Sequence, residues 1–192
     1  MDHEGMMDHE GMMDHEGMMD HEDMMGQKGM EHKAMANGTI PTATVSFDAQ
    51  FIDSMIEHHQ GAIAMAEQVL TESERPELLA MAEAIIAAQG QEIEQMQEWR
   101  TTWYPELAPS QGMEMAMGQM SIDDDETIPF DQRFLTAMID HHQGAIHMAE
   151  MALAKAEHAE LKTLSEAIIA AQQVEIDGMQ GWLQEWFDIE SK

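Results

Sequence analysis

Phe51-Ile52-Asp53-Ser54-Met55-Ile56-Glu57-His58-His59-Gln60-Gly61-Ala62-Ile63-Ala64-Met65-Ala66 returns 83 residues later as Phe134-Leu135-Thr136-Ala137-Met138-Ile139-Asp140-His141-His142-Gln143-Gly144-Ala145-Ile146-His147-Met148-Ala149. The alignment runs without a gap from Phe51–Trp103 onto Phe134–Trp186, and Ala84-Ile85-Ile86-Ala87-Ala88-Gln89 is repeated as Ala167-Ile168-Ile169-Ala170-Ala171-Gln172. One structural unit has been used twice, so whatever the first copy folds into, the second folds into as well.

Each copy reads as two helices. Apolar residues recur at helical spacing, Ser46 is suited to an N-cap, and Pro76 is suited to a first helical turn. The predicted helices cover 46–71, 76–103, 129–154 and 158–187, and no segment has strand-like alternation. Short connections place the helices of each pair side by side. The expected fold is therefore all-α: an antiparallel four-helix bundle of ferritin-like type, built from two duplicated hairpins. Copy one spans 46–104, a linker 105–128, and copy two 129–187.

Two segments lie outside this pattern. Residues 1–45 open with a six-residue repeat, Met1-Asp2-His3-Glu4-Gly5-Met6, which returns from Met7, Met13 and, with Asp23 in place of glycine, Met19. Dense charge, regular glycine and the lack of aromatic or β-branched residues before Thr39 predict a tail disordered without metal. The linker is rich in proline, glycine and acid and carries Met113, Met115, Met117 and Met120, which have no helical core of their own to fill. Its length suits a crossover along the bundle.

Composition narrows the partners. The chain has 38 acidic residues against 8 Lys and Arg, which argues against nucleic acid and anionic membrane surfaces and favours cations. No apolar run approaches the roughly 20 residues of a membrane span. Cysteine is absent while methionine occurs 23 times. A protein gathering soft ligands in a reducing cytosol is expected to use thiolates, whereas thioethers serve where thiols would oxidise. No secretory signal is visible in residues 1–30, so the chain is either cytosolic or a mature form whose signal has been removed, and the thioethers without thiolates make a periplasmic or secreted form the expectation.

The candidate ligands fall on defined helix faces. Residues set at 100° intervals place Phe51, Met55, His59, Ala62, Ile63, Ala66 and Val69 on one face, with His58 at its border and Asp53, Glu57, Gln60 and Glu67 opposite. The second helix turns Met81, Ile85, Ala88, Gln89, Glu92, Met96, Trp99 and Trp103 to a common face. A site follows from Met55, His58, His59, Met65 and Met96, with Glu92 orienting a histidine. Duplication gives a twin from Met138, His141, His142, Met148 and Met179, with Glu175 in the orienting role and His147 as an extra imidazole. Thioether and imidazole donors select a soft ion: Cu(I), with Ag(I) as its mimic, over Mg²⁺ or Ca²⁺. Zn²⁺ is open to the histidines and gains little from methionine.

The tail adds further donors in His3, His9, His15 and His21, interleaved with eleven methionines before Ala36. A free amine at Met1 with His3 in third position would also complete a square-planar nitrogen site for Cu(II). The alternative for the core methionines is that they are adaptable filling, with the histidines satisfied by buried carboxylates.

The duplicated Phe-x3-Met-x2-His-His-x2-Ala-Ile-x-Met-Ala pattern at Phe51–Ala66 and Phe134–Ala149 is followed by Glu-Ile-x2-Met-x2-Trp at Glu92–Trp99 and Glu175–Trp182. Together these resemble the domain-of-unknown-function-305 family over about residues 47–187. With the Met-Asp-His-Glu-Gly-Met tail, the resemblance implies a ferritin-like four-helix fold, binding of Cu(I) and of Cu(II), export from the cytoplasm, and protection against excess copper. A di-iron oxidase is the rival for such a bundle, but no Glu or Asp of the predicted helices has histidine three residues later. The reading is binding rather than catalysis: a copper buffer, or alternatively a chaperone delivering to an efflux system or acceptor protein. Less favoured are a copper-dependent oxidase and a purely structural bundle.

Overall fold

The computed structural model describes residues 46–110 and 117–190. The expectations for the tail, including His3, His9, His15 and His21, and for Met113 and Met115 lie outside the described residues. Four helices follow in order: α1 (Phe47–Glu72), α2 (Pro76–Trp103), α3 (Phe130–Lys155) and α4 (Ala159–Phe187), with no strand among the described residues. Each boundary falls within one residue of its sequence expectation. Pro76 occupies the first turn of α2, where its missing N–H costs nothing. Ser46 stands at the N-cap position of α1, but its hydroxyl donates to Tyr104 Oη at 3.0 Å instead of capping the helix.

The chain packs as two hairpins, α1 with α2 and α3 with α4, joined through α1 against α3. Two apolar clusters result. The first takes Ala62, Met65, Ala66 and Val69 from α1, Phe134, Leu135, Ala137 and Met138 from α3, and residues of α2 and α4 that include Leu78, Ile85 and Met179. The second takes Phe51, Ile52 and Met55 from the opposite end of α1, Ala145, Met148, Ala149 and Ala152 from the opposite end of α3, and Met96, Leu161 and Ile168 from the outer helices. Late α1 meets early α3 and the reverse, so the inner pair is antiparallel. The 83-residue offset carries most members of one cluster onto the other, which makes the two halves pseudo-twofold equivalents.

The sequence-drawn face of α2 is corrected in one respect. Leu78, Ala82, Ile85, Gln89 and Met96 are its buried residues, while Ala88 is exposed and Met81 half-buried. The seam follows seven-residue spacing, which a projection at 100° per residue gradually leaves over 28 residues. On α1, Asp53 faces α2 rather than solvent: its carboxylate accepts from Arg100 Nε at 2.7 Å and from the Ser110 N–H at 2.7 Å. Arg100 also donates to the carbonyls of Tyr104, Leu107 and Ala108, fastening the start of the linker to the hairpin.

The two ends of the molecule solve the same packing problem differently. Asp48, fully buried on α1, accepts the backbone N–H groups of Glu157 and His158 at 3.0 Å and His158 Nδ1–H at 2.8 Å. The imidazole of His158 stacks on Trp103 at 3.8 Å with its plane tilted by only 6°. At the other end Arg75 takes the place of His158, donating to Asp131 at 3.0 Å with its guanidinium 4.1 Å above Trp186. In both cases one hairpin grips the loop of the other through a carboxylate and an indole.

Asp48 therefore joins the hairpins and satisfies donors at the start of α4. Asp48→Ala is expected to lower stability by about 2–4 kcal/mol, because two backbone N–H groups and the imidazole lose a charged acceptor. Urea denaturation followed by helical circular dichroism measures this, and a loss below about 0.5 kcal/mol would show that the contact does not hold the hairpins together.

Candidate metal centre

Between the two apolar clusters the inner helices carry their paired histidines. His58, His59, His141 and His142 are all fully buried, at the level where α1 and α3 cross. The rings of His58 and His141, equivalent through the repeat, lie with centroids 3.7 Å apart and planes inclined at 44°. A polar layer thus divides the core at its waist. Buried Gln89 on α2 and Gln172 on α4 belong to the same repeat positions.

Hydrogen bonds fix the protonation of three of these imidazoles. His59 Nε2 meets Glu92 Oε2 and His142 Nε2 meets Glu175 Oε2, each at 2.7 Å. His58 Nε2 meets the Met117 carbonyl at 2.9 Å. Carbonyl and carboxylate oxygens accept, so Nε2 carries the proton in all three, and in the neutral ring Nδ1 presents a lone pair. Those Nδ1 atoms are buried without a hydrogen-bond partner among the described residues. His141 goes further, with both ring nitrogens buried and unpartnered. An imidazole whose N–H is held by an oxygen while its other nitrogen is left free is the arrangement that orients metal-ligating histidines.

Burial determines the charge state. Loss of solvation, reinforced by neighbouring His59, lowers the pKa of His58 to about 3. Loss of solvation and the proximity of His58 bring His141 to about 2. Both are neutral at ordinary pH and keep a lone pair available to a cation. Among the described residues no three His, Asp or Glu side chains converge as a metal site by themselves. The donor set instead fits an ion content with few ligands, some of them sulfur.

The methionines are divided by the waist. Met55 and Met96 share their cluster with Met148 of copy two, whereas Met65 joins Met138 and Met179 in the other. This corrects the grouping drawn by copy. Ten residues separate Met55 from Met65, about 15 Å along a helix, too far for one ion, and the antiparallel α3 supplies the missing partner at each level. Glu92 and Glu175 take the orienting role expected of them, and His147 is exposed on the outer side of α3, apart from the buried histidines.

Sequence reasoning left the linker methionines undirected, and the structure brings Met117 and Met120 to the waist. Gly144 touches the backbone there: a Cβ added to it would lie 2.7 Å from both C and O of Met117. Gly118, at φ 70°, lies so close to the Asp140 carbonyl that a side chain there would collide with it. Gly61, the repeat equivalent of Gly144, faces the Met120 methyl. The glycines of the His-His-Gln-Gly motif were the available signal, since a helical glycine marks a close approach.

The fold and its waist define a helical-hairpin protein with buried histidines between methionine clusters. The chain belongs to the DUF305 family, described as a domain of unknown function, whose model matches residues 1–100, 48–128 and 131–192. It is similar to CopM in the Cu(I)-bound form, at 37% identity over 73% of this chain and 97% of that one, with a TM-score of 0.63. It is likewise similar to CopM in the Cu(II)-bound form, at 39% identity with the same coverage and a TM-score of 0.64, and CopM has also been solved with Ag bound. A putative secreted DUF305 protein from Streptomyces coelicolor is 27% identical over 77% of this chain and 98% of that one, with a TM-score of 0.67. No protein of curated function matches the chain.

Two outcomes follow from the waist. In the metal-free protein, a histidine pKa lowered by folding means that the unfolded chain binds more protons below its ordinary value of 6.5. Stability is then complete above about pH 6.5 and falls as pH drops below it, by up to about 1.4 kcal/mol per unit for each of His58 and His141. Urea midpoints at a series of pH values, compared with a His58→Gln/His141→Gln variant that should lose most of this slope, measure it. The glycines should also differ. Gly144→Ala meets immovable backbone and costs about 1–3 kcal/mol, whereas Gly61→Ala displaces the end of Met120, needs only a few tenths of an ångström from the His141 ring, and stays within about 1 kcal/mol of the parent. Equal losses would contradict the close crossing at Gly144.

Proposed function

We propose that this protein binds copper, chiefly as Cu(I), at its histidine waist, and buffers or sequesters it outside the cytoplasm as a means of copper resistance. The observation that carries the reading is the buried layer of imidazoles with unpartnered nitrogens, three of them oriented through Nε2–H. Desolvated polar atoms of this kind cost stability unless something uses them. A soft cation uses them, and it also explains why methionine rather than leucine fills both flanking clusters.

His58, His59, His141 and His142 are the central ligand candidates. Met55, Met96 and Met148 lie to one side of them and Met65, Met138 and Met179 to the other. The likeness to CopM, solved with Cu(I), Cu(II) and Ag, supports the choice of metal. Met117 and Met120 of the linker stand at the waist beside these candidates, while the tail residues His3, His9, His15 and His21, with Met113 and Met115 of the linker, supply weaker and more labile sites, because ordering a chain around an ion costs conformational entropy. Location outside the cytoplasm rests on the use of thioethers without cysteine and on the likeness to a putative secreted protein. None of the described helices is long and apolar enough to cross a membrane. A buffer is favoured over a chaperone for an efflux system or acceptor by the burial of the central ligands, which slows release. Catalysis has no assigned part.

Anaerobic competition for Cu(I) against a chromophoric chelator tests the proposal. The full chain is compared with a variant carrying glutamine at His58, His59, His141 and His142, whose helical content is checked in parallel. The variant is expected to lose the tightest copper and retain the weaker tail sites. Unchanged affinity and stoichiometry in a folded variant would remove the waist as the site.

A further inference from the structure

The repeat gives two copies of every helical ligand but only one linker, and the linker breaks the symmetry at the waist. Its backbone at Met117–Gly118 presses against Gly144 of α3, and the Met117 carbonyl accepts the Nε2–H of His58. Two residues on, Met120 reaches the equivalent glycine of α1. A Cβ built on Gly61 would lie 2.7 Å from Met120 Cε, 3.5 Å from its Sδ and 3.3 Å from His141 Nε2. The thioether sulfur and the imidazole nitrogen therefore lie within 3.5 Å of one shared point. His141 is the imidazole with neither ring nitrogen engaged, and its ring is 3.7 Å from that of His58, whose Nδ1 is also free.

Packing alone gives a poor account of Met120. It is 37% exposed, among the few large apolar side chains left open to solvent among the described residues, yet its thioether end comes to the same glycine as His141 Nε2, a buried nitrogen without a hydrogen-bond partner. Hydrophobic burial would have sent it inward, and a polar residue would have served the imidazole better. A soft donor on the solvent side of two buried imidazoles is what a monovalent thiophilic ion requires, both for a third ligand and for a way in.

We infer that Met120 completes one shared site with His58 and His141 on the pseudo-twofold axis, so that the duplicated bundle holds a single Cu(I)-type ion at its waist rather than one per copy, and that Met120 is its solvent-side ligand. This rests on the copper reading above and gives it a stoichiometry and a ligand set. Gly61 leaves the room the methionine needs, and the single linker explains why duplication of the helices does not duplicate the site.

The test uses the full chain labelled with ¹³C at the methionine methyls and ¹⁵N in the histidine rings, titrated with Ag(I), which is diamagnetic and has the same closed shell as Cu(I). The Met120 methyl and the ring nitrogens of His58 and His141 are expected to shift together in one phase of one equivalent. In Met120→Leu that phase should weaken by at least about tenfold while the tail methionines respond as before. Histidine shifts with Met120 unmoved, or His58 and His141 titrating in separate phases, would overturn the shared three-ligand site and leave copper binding at the waist intact. No response from any buried histidine would overturn both.

Discussion

The antiparallel packing of α1 against α3 is the constraint on which the rest depends. It brings two histidine pairs to one level in the middle of a core and leaves their nitrogens to be satisfied by whatever else reaches that level. Every neighbouring feature answers this demand. Glu92 and Glu175 come from the outer helices to accept one Nε2–H hydrogen bond each, the Met117 carbonyl comes from the linker to accept another, and His141 is left with none. Buried polar atoms are costly, and a layer of them between two apolar clusters persists because the surrounding packing is sufficient to hold it.

Duplication and its exceptions divide the labour. The apolar clusters, the paired histidines and their carboxylates obey the repeat, and together they set the fold and its polar waist. Departures from the repeat occur where the halves need not be alike. His158 stands for Arg75 at the gripping ends, Arg100 fastens the linker where copy two has Leu183, and one linker crosses a waist with two equivalent grooves. A symmetric scaffold thereby acquires one side that differs from the other, and that difference falls at the histidines.

The acidic balance of the chain belongs to the same logic. With 38 acidic residues against 8 Lys and Arg, the exterior attracts cations, while the waist and the clusters beside it are lined by imidazoles and thioethers. Attraction at the surface is non-selective and salt-dependent, and selectivity is left to soft donors within. The carboxylates of Glu92 and Glu175 stand behind His59 and His142, where they would help to balance the charge of a cation held at the proposed site.

The sequence by itself determined the helices, their ends to within a residue, and the duplication, because helical period and proline position are local properties carried by neighbouring residues. It also placed Glu92 and Glu175 with the histidines, since a carboxylate on an apolar face has few other places to go. Only the tertiary structure decided which methionines stand together. Met65 left its own copy for Met138 and Met179 because the direction in which α3 runs past α1 is set by packing, not by either helix alone. The same holds for Met120 and for the glycines at 61 and 144: a linker's path over a bundle depends on which groove the assembled helices leave open, and no local pattern in the chain encodes a groove made by two helices 83 residues apart.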